Sequence, residues 1–314
     1  MNRHFKTFLL VLGGVTLVGG SALFAVGCKD IKNAGKTREF DLSDKIFTSF
    51  EFDCDTSDIE FVPSTDMKIV YKETEKIFHT EEVKDGTLII KQTDDLKWYE
   101  RVFTFDFSPK KATIYLPAGH FTNLKVDNDT GDLSIPHDFS FDAVDIKLST
   151  GNVNLKSDVA GDAKITTSTG RVSLSDMSAK SLAVKRSTGD LNLNNVNVTE
   201  AISVEASTGE FNANEVRAAS LKVNQSTGDV NLRDVKVTGA LEIKCSTGDV
   251  NFDDIDFASG NIKTSTGDIK GTLATPKFVD ASSDTGKVDV DSDRTVPQEL
   301  IVKSDTGKII IKNK

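Results

Sequence analysis

Three Asp-Thr-Gly tripeptides, at Asp129, Asp284 and Asp305, match the core of a hydrolytic signature in which two aspartates share one proton and activate water against a peptide bond. That chemistry needs two carboxylates held together by apolar strands. Here the preceding pairs are Asp-Asn, Ser-Ser and Lys-Ser, and the same slot is serine at Ser149, Ser168, Ser187, Ser207, Ser226, Ser246 and Ser265. A slot that accepts serine this often marks a turn, and a motif without its surroundings carries no activity. The histidines His4, His79, His120 and His137 form no cluster, and the sequence has neither zinc-ligand spacing nor a phosphate-cradling glycine loop.

A second set of side chains has the chemistry to hold a cation. The residue after each of five consecutive glycines is acidic (Asp190, Glu210, Asp229, Asp249 and Asp268), and Asn192, Asn212, Asn231 and Asn251 stand two positions on from four of them. In stacked strands such columns repeat about every 4.8 Å. Carboxylate and amide oxygens at that spacing suit Ca²⁺, a hard cation. The alternative is a solvated acidic stripe beside an asparagine ladder that satisfies its own amides. Arg171 precedes the stripe and Lys287 and Lys308 follow it, so the column changes sign along the chain. Such a pattern suits self-association in staggered register or a partner of matching charge.

The elements that position these columns come from the repeat itself. Ser/Asp-Thr-Gly recurs with glycines at Gly131, Gly151, Gly170, Gly189, Gly209, Gly228, Gly248, Gly267, Gly286 and Gly307, a period of about twenty residues. Within the segment from Gly228 to Thr247, Val230 and Leu232 alternate with Asp229 and Asn231, and Leu241, Ile243 and Cys245 alternate with Glu242 and Lys244. Each coil thus holds two half-buried strands. The same inward columns recur as Leu191 and Leu193, Phe211 and Ala213, Val250 and Phe252, Ile202 and Val204, Leu221 and Val223. One coil cannot bury these faces alone, and a stack can. The expected fold is all-β: a parallel β-solenoid, or β-helix, of about ten coils of 19–21 residues, with the glycines as turn residues of positive φ.

Residues 7–27 carry no charge and are long enough to span a bilayer, which takes about 20 residues. Residues 1–28 are therefore expected to form an amino-terminal transmembrane anchor, with 29–39 as a basic juxtamembrane linker. Cys28 offers a rival reading as a lipidation site, although Ala25 stands where leucine is usual. Either route tethers the repeats to a membrane. Long domains cross membranes largely regardless of flanking charge, so the expected location is the cell membrane, single-pass, with the repeats extracytoplasmic. A net charge of −10 disfavours nucleic acid, and three cysteines make no disulfide framework.

Residues 40–128 read as irregular opening coils and a cap, and residues 129–314 as the regular repeats. Trp98 and Tyr99 sit in a charged stretch and are expected to pack as a lid over the open solenoid end. At the other end, Gly307-Lys-Ile-Ile-Ile-Lys-Asn-Lys reads as the last strand, with Lys308, Lys312 and Lys314 blunting an open edge.

The opening strands, Ala112-Thr-Ile-Tyr-Leu-Pro-Ala-Gly, Leu124-Lys-Val-Asp-Asn-Asp-Thr-Gly-Asp-Leu and the Ser-Thr-Gly-Asp-Val-Asn-Leu repeats resemble a bacterial family of "putative adhesins" over residues 40–314. These are β-strand-repeat domains of unknown function behind one amino-terminal membrane helix, sometimes encoded with Lia-type cell-envelope stress systems. The resemblance implies an envelope-facing, non-enzymatic protein that binds or scaffolds envelope proteins or wall glycans. Two alternatives stay open. One is a carbohydrate-active enzyme on a β-helix. The other is a regulatory module that partners a membrane sensor through the small residues Thr16, Gly20, Ser21 and Ala25.

Overall fold

The computed structural model describes residues 35–95 and 110–314. The expected anchor with its small residues, Cys28, His4, most of the expected linker, Trp98 and Tyr99 lie outside the described residues. Among the described residues there is no helix, and so none long and apolar enough to cross a membrane. Instead they form twenty-four strands.

At the amino end these are β1 (Lys36–Asp41), β2 (Ser49–Thr56), β3 (Asp58–Pro63), β4 (Lys68–Glu73), β5 (Ile77–Lys84), β6 (Thr87–Asp94) and β7 (Lys111–Leu116). Strand β1 begins inside the segment expected as linker, because Arg38 is bound into the fold, as shown below. The body follows as β8 (Gly119–Thr130), β9 (Leu133–Ile135), β10 (Phe139–Thr150), β11 (Val153–Leu155), β12 (Asp158–Thr169), β13 (Val172–Thr188), β14 (Leu191–Val198), β15 (Ala201–Thr208), β16 (Phe211–Ala218), β17 (Ser220–Thr227), β18 (Val230–Thr247) and β19 (Val250–Thr266). The carboxy end holds β20 (Ile269–Leu273), β21 (Phe278–Ser283), β22 (Val288–Val290), β23 (Glu299–Thr306) and β24 (Ile309–Asn313).

The body is a parallel stack whose register, interrupted by shifts at Phe141/Val144, Val159/Asp162 and Val237/Ala240, is restored at each repeat. Threonines of successive repeats face one another, from Thr130 and Thr150 through Thr169, Thr188, Thr208, Thr227 and Thr247 to Thr266. Every inward residue singled out from the repeat pattern is buried, including Val230, Leu232, Leu241, Ile243 and Cys245. Five consecutive coils also turn at a corner that the glycines do not mark. Asp176, Asn195, Glu215, Asp234 and Asp254 adopt φ between 46° and 59°, the left-handed region that Asn and Asp enter more readily than most residues.

The stacking order departs from chain order at both ends. Strands β2 and β3 lie between β6 and β8 and between β7 and β9, so the first coil is second in the stack. Likewise β23 sits between β19 and β21, and β24 between β20 and β22. The carboxy-terminal strand is therefore interior and not the open edge expected of it. Its lysines serve other ends: Lys312 reaches Asp289 at 2.7 Å, and Lys314 reaches Asp254 at 2.7 Å. The edge falls to β21 and β22, in which only Val279 is buried.

The amino end is closed differently. Antiparallel β4 extends β7 and carries β1, while antiparallel β5 extends β6. Beneath them Phe50, Phe52, Phe61, Phe139 and Phe141 are buried, with neighbouring rings such as Phe50 and Phe61 5.1 Å apart and mostly edge-on. Edge-to-face contact is favourable because ring edges are positive and faces negative.

Candidate functional site

The Ser/Asp-Thr-Gly corner is a packed column of backbone. Nine of its ten glycines have positive φ, between 118° and 152°, Gly286 being the exception. A Cβ at Gly209 would lie 1.8 Å from the Gly189 carbonyl oxygen, and the column repeats this contact from coil to coil. Two demands thus coincide at the corner, a left-handed turn and room for the coil beneath.

Close stacking leaves glycine carbonyls pointing inward, where they need donors. The inward side chain three residues before the glycine supplies several of these. Gln225 donates to Gly209 O at 2.8 Å, Thr264 to Gly248 O at 3.3 Å, Ser304 to Gly267 O at 3.1 Å and Ser283 to Gly307 O at 2.7 Å. Arg186 occupies this column too. It is buried and donates to Glu210 O at 2.9 Å, and burial, outweighing the opposing pull of the Asp190 carboxylate, lowers its guanidinium pKa. Cys245 holds the same inward position, and burial raises its thiol pKa. Cys54, also buried, is pushed up to about 12 by burial and the flanking aspartates, which leaves it a poor nucleophile.

The acidic stripe has a structural role that the sequence pattern does not display. Four of its five carboxylates, all but Glu210, accept the backbone N–H of the counterpart in the next coil: Asp190 from Glu210 at 3.1 Å, Asp229 from Asp249 at 2.8 Å, Asp249 from Asp268 at 2.8 Å and Asp268 from Lys308 at 2.7 Å. Asp58, Asp132 and Asn152 begin the same staircase. Charge-assisted bonds of this kind offset the repulsion of stacked carboxylates. Lys270 and the Lys308 amide hold Asp268 below the usual carboxylate range. Among the described residues no group of three or more His, Cys, Asp or Glu has the arrangement of a metal site.

Beside the stripe the asparagines form the ladder considered above. Asn212 donates to Asn192 at 3.1 Å, Asn231 to Asn212 at 2.9 Å and Asn251 to Asn231 at 3.2 Å, and a parallel rung joins Asn214 to Asn194 at 2.8 Å. Between these columns runs a channel of about 550 Å³. Each ladder amide keeps an outward N–H after donating one, so the channel walls are rigid and still able to bond a ligand.

The Asp-Thr-Gly aspartates do not all converge: Asp284 and Asp305 follow the paired Ser283 and Ser304 on neighbouring strands, and Asp129 stands apart from both. Asp129 lies near the amino end, where it accepts from Ser149 at 3.2 Å, whereas Asp284 and Asp305 belong to the last two coils, and all three are exposed. Two of the described histidines have carboxylate partners of their own. His120 is an exposed partner of Asp142 at 3.0 Å, whereas His79 is buried in a network at the amino end.

That network escaped sequence reasoning. His79 Nε2 lies 3.0 Å from Ser57 Oγ and its Nδ1 3.4 Å from Glu73 Oε2, the order of a Ser-His-Glu triad. Ser57 is 1% exposed and the His79 side chain 0%, so no substrate reaches the hydroxyl. The group is a fastener. Arg38 on β1 binds Glu73 at 2.8 Å and Glu81 at 2.6 Å, donates to His79 O at 2.7 Å and lies over the Tyr71 ring at 4.4 Å. It thereby joins the two antiparallel extensions. Burial pushes Glu73 upward, but Arg38 and the His79 backbone N–H outweigh it and hold the carboxyl below its ordinary value. Burial depresses the His79 imidazole.

A family model described as Toastrack DUF4097 matches residues 47–233 and again 199–314. Among solved structures, a "putative adhesin" from Bacteroides fragilis is similar at 16% identity, covering 89% of this chain and 97% of its own, with a TM-score of 0.37. A "putative lipid binding protein" from Parabacteroides distasonis shares 16% identity over 89% of this chain and 96% of its own, at 0.42. A "putative cell adhesion protein" from Clostridium sporogenes shares 11% over 89% and 100%, at 0.22. Likeness at this level speaks to neither ligand nor activity. No curated protein matches the chain.

Proposed function

We propose, for a chain that belongs to the Toastrack DUF4097 family, a non-enzymatic role in which the solenoid faces bind or scaffold components of the cell envelope. The observation that carries this reading is the use of the carboxylates. The stripe that most resembles chemistry is spent on backbone N–H groups, and what it leaves outward is a long, regular, hydrogen-bonding face beside a channel of about 550 Å³. Regular coils of this kind present extended surfaces instead of walled clefts. The apolar amino-terminal run supports a membrane tether with the repeats extracytoplasmic.

Two measurements test the proposal. Protease shaving of intact cells carrying a carboxy-terminal tag should remove the tag, and protection until lysis would sink the envelope role. Isolated envelope fractions should bind the purified chain saturably and emerge chemically unchanged. Release of soluble fragments from their glycans would replace this reading with the carbohydrate-active one.

A further inference from the structure

The outward columns of the stack pair charges across coils. Lys185 faces Glu205 at 3.1 Å, Lys222 faces Glu242 at 3.1 Å, Lys180 faces Glu200 at 3.7 Å and Lys125 faces Glu51 at 2.8 Å. Near the carboxy end this rule breaks. Lys244 lies opposite Lys263, and Lys263 opposite Lys303, with Asn224 and Ser282 bounding the run. Like charges directly opposite on neighbouring strands are destabilising.

The acidic stripe escapes the same penalty by accepting backbone N–H groups, an escape closed to ammonium groups, which only donate. Lys244 shares Glu242 with Lys222, at 2.7 Å, and among the described residues Lys263 and Lys303 have no ion-pair partner. These three lysines form one wall of a groove of about 520 Å³. Ser226, Ser246 and Ser265 form the other, two residues along each strand and so about 7 Å away. The groove runs across coils, along the stack. Asp305 stands at the outer end of the serine wall and repels an anion there, confining it to the interval between Lys244 and Lys303.

We propose that this groove binds a linear phosphodiester polymer, whose phosphates sit between the stacked ammonium groups and accept from the serine hydroxyls. A basic groove on a chain of net charge −10 selects its ligand by charge against the field of the whole molecule. Its course along the stack, through successive ammonium groups about 4.8 Å apart, suits a thread of repeated phosphates better than a flat headgroup surface. This inference rests on the envelope-binding reading and names the ligand class of one face.

The test uses the full chain in detergent and a fluorescent poly(glycerol phosphate) as probe, read by anisotropy. The expected result is saturable binding that Lys263→Gln with Lys303→Gln weakens at least tenfold. The double variant should also flatten the dependence of log affinity on log salt by roughly one to two, since each phosphate contact contributes about 0.7 for single-stranded chains. Lys185→Gln, in the same column but paired with Glu205, should change neither. Because Lys263 and Lys303 are exposed and face like charges, the loss of binding is expected to come with a melting temperature that does not fall. Equal binding by the double variant overturns the proposal, as does equal binding of uncharged dextran or full displacement by anionic phospholipid vesicles. If the chain binds envelope fractions but not the polymer, this inference falls and the proposed function stands. If it binds neither, both fall.

Discussion

The two ends of the stack solve one problem in opposite ways. Parallel coils always leave two unpaired edges, and exposed edges invite further pairing. At the amino end the edge strands β6 and β7 are covered by antiparallel β5 and β4, a cluster of phenylalanines fills the interior, and Arg38 fastens the two extensions together. At the carboxy end β21 and β22 are the outermost layer of the described residues, Val288 is 37% exposed, and no described antiparallel strand covers them. One end is therefore held by its own outermost elements. The other is held by the coil one layer in, through Leu300, Val302, Ile309 and Ile311, all fully buried.

Removing residues 299–314 should break this contrast most severely. Each of the four buried side chains is worth about 1.5–3 kcal/mol, and with them goes the layer whose strands pair with β21 and β22. Limited proteolysis should then cut first within 274–298, while exchange protection of β1, β4 and β5 stays intact. Equal loosening of both ends would show that they are not independent.

Arg38→Met should reverse the pattern at smaller cost. It leaves Glu73, whose side chain is 8% exposed, with only His79 as partner and no guanidinium. A loss of about 2–3 kcal/mol is expected, low for a buried pair because the Arg38 side chain is 34% exposed. Amide exchange should quicken in β1, β4 and β5 only. Acid should act at the same place. Folding lowers the pKa of both His79 and Glu73 below their ordinary values of 6.5 and 4.5. The unfolded chain thus binds protons more readily. The stability they contribute is complete above about pH 6.5, declines as unfolded-state His79 takes a proton, and falls further below pH 4.5 as Glu73 passes its folded pKa. Exchange measured at pH 7, 5.5 and 4 should show the amino end loosening first.

The smallest effect is expected from Val288→Lys on the bare edge. Surface changes of this kind stay within about 0.5 kcal/mol, so a larger loss in urea unfolding would mean that the edge is covered in solution.

Much of the body was legible because its determinants are local. Alternation assigned the inward faces, and the glycine period assigned the coils. The corner at Asp176, Asn195, Glu215, Asp234 and Asp254 has a readable trace, an acidic or amide residue six positions after each of five consecutive glycines. Two features had no local trace. All coils carry the same strand pattern, so nothing in Val288–Val290 or Ile309–Asn313 says which is outermost. The Arg38 network joins residues 35 and 43 positions apart, and its charges look like an ordinary basic linker and a polar strand. The acidic stripe lay between these cases. Its column was visible, but the bond from carboxylate to the next coil's N–H requires the actual stacking distance.

The inserted last coil also has a mechanical meaning. A chain whose final strand lay outermost would yield to a pull on its end by peeling, breaking one row of hydrogen bonds at a time. Here β23 and β24 are bonded on both sides, so tension at the carboxy terminus must slide a layer out from between two neighbours and shear both rows together. The end with the barest surface is thus the end where the chain itself is hardest to unravel.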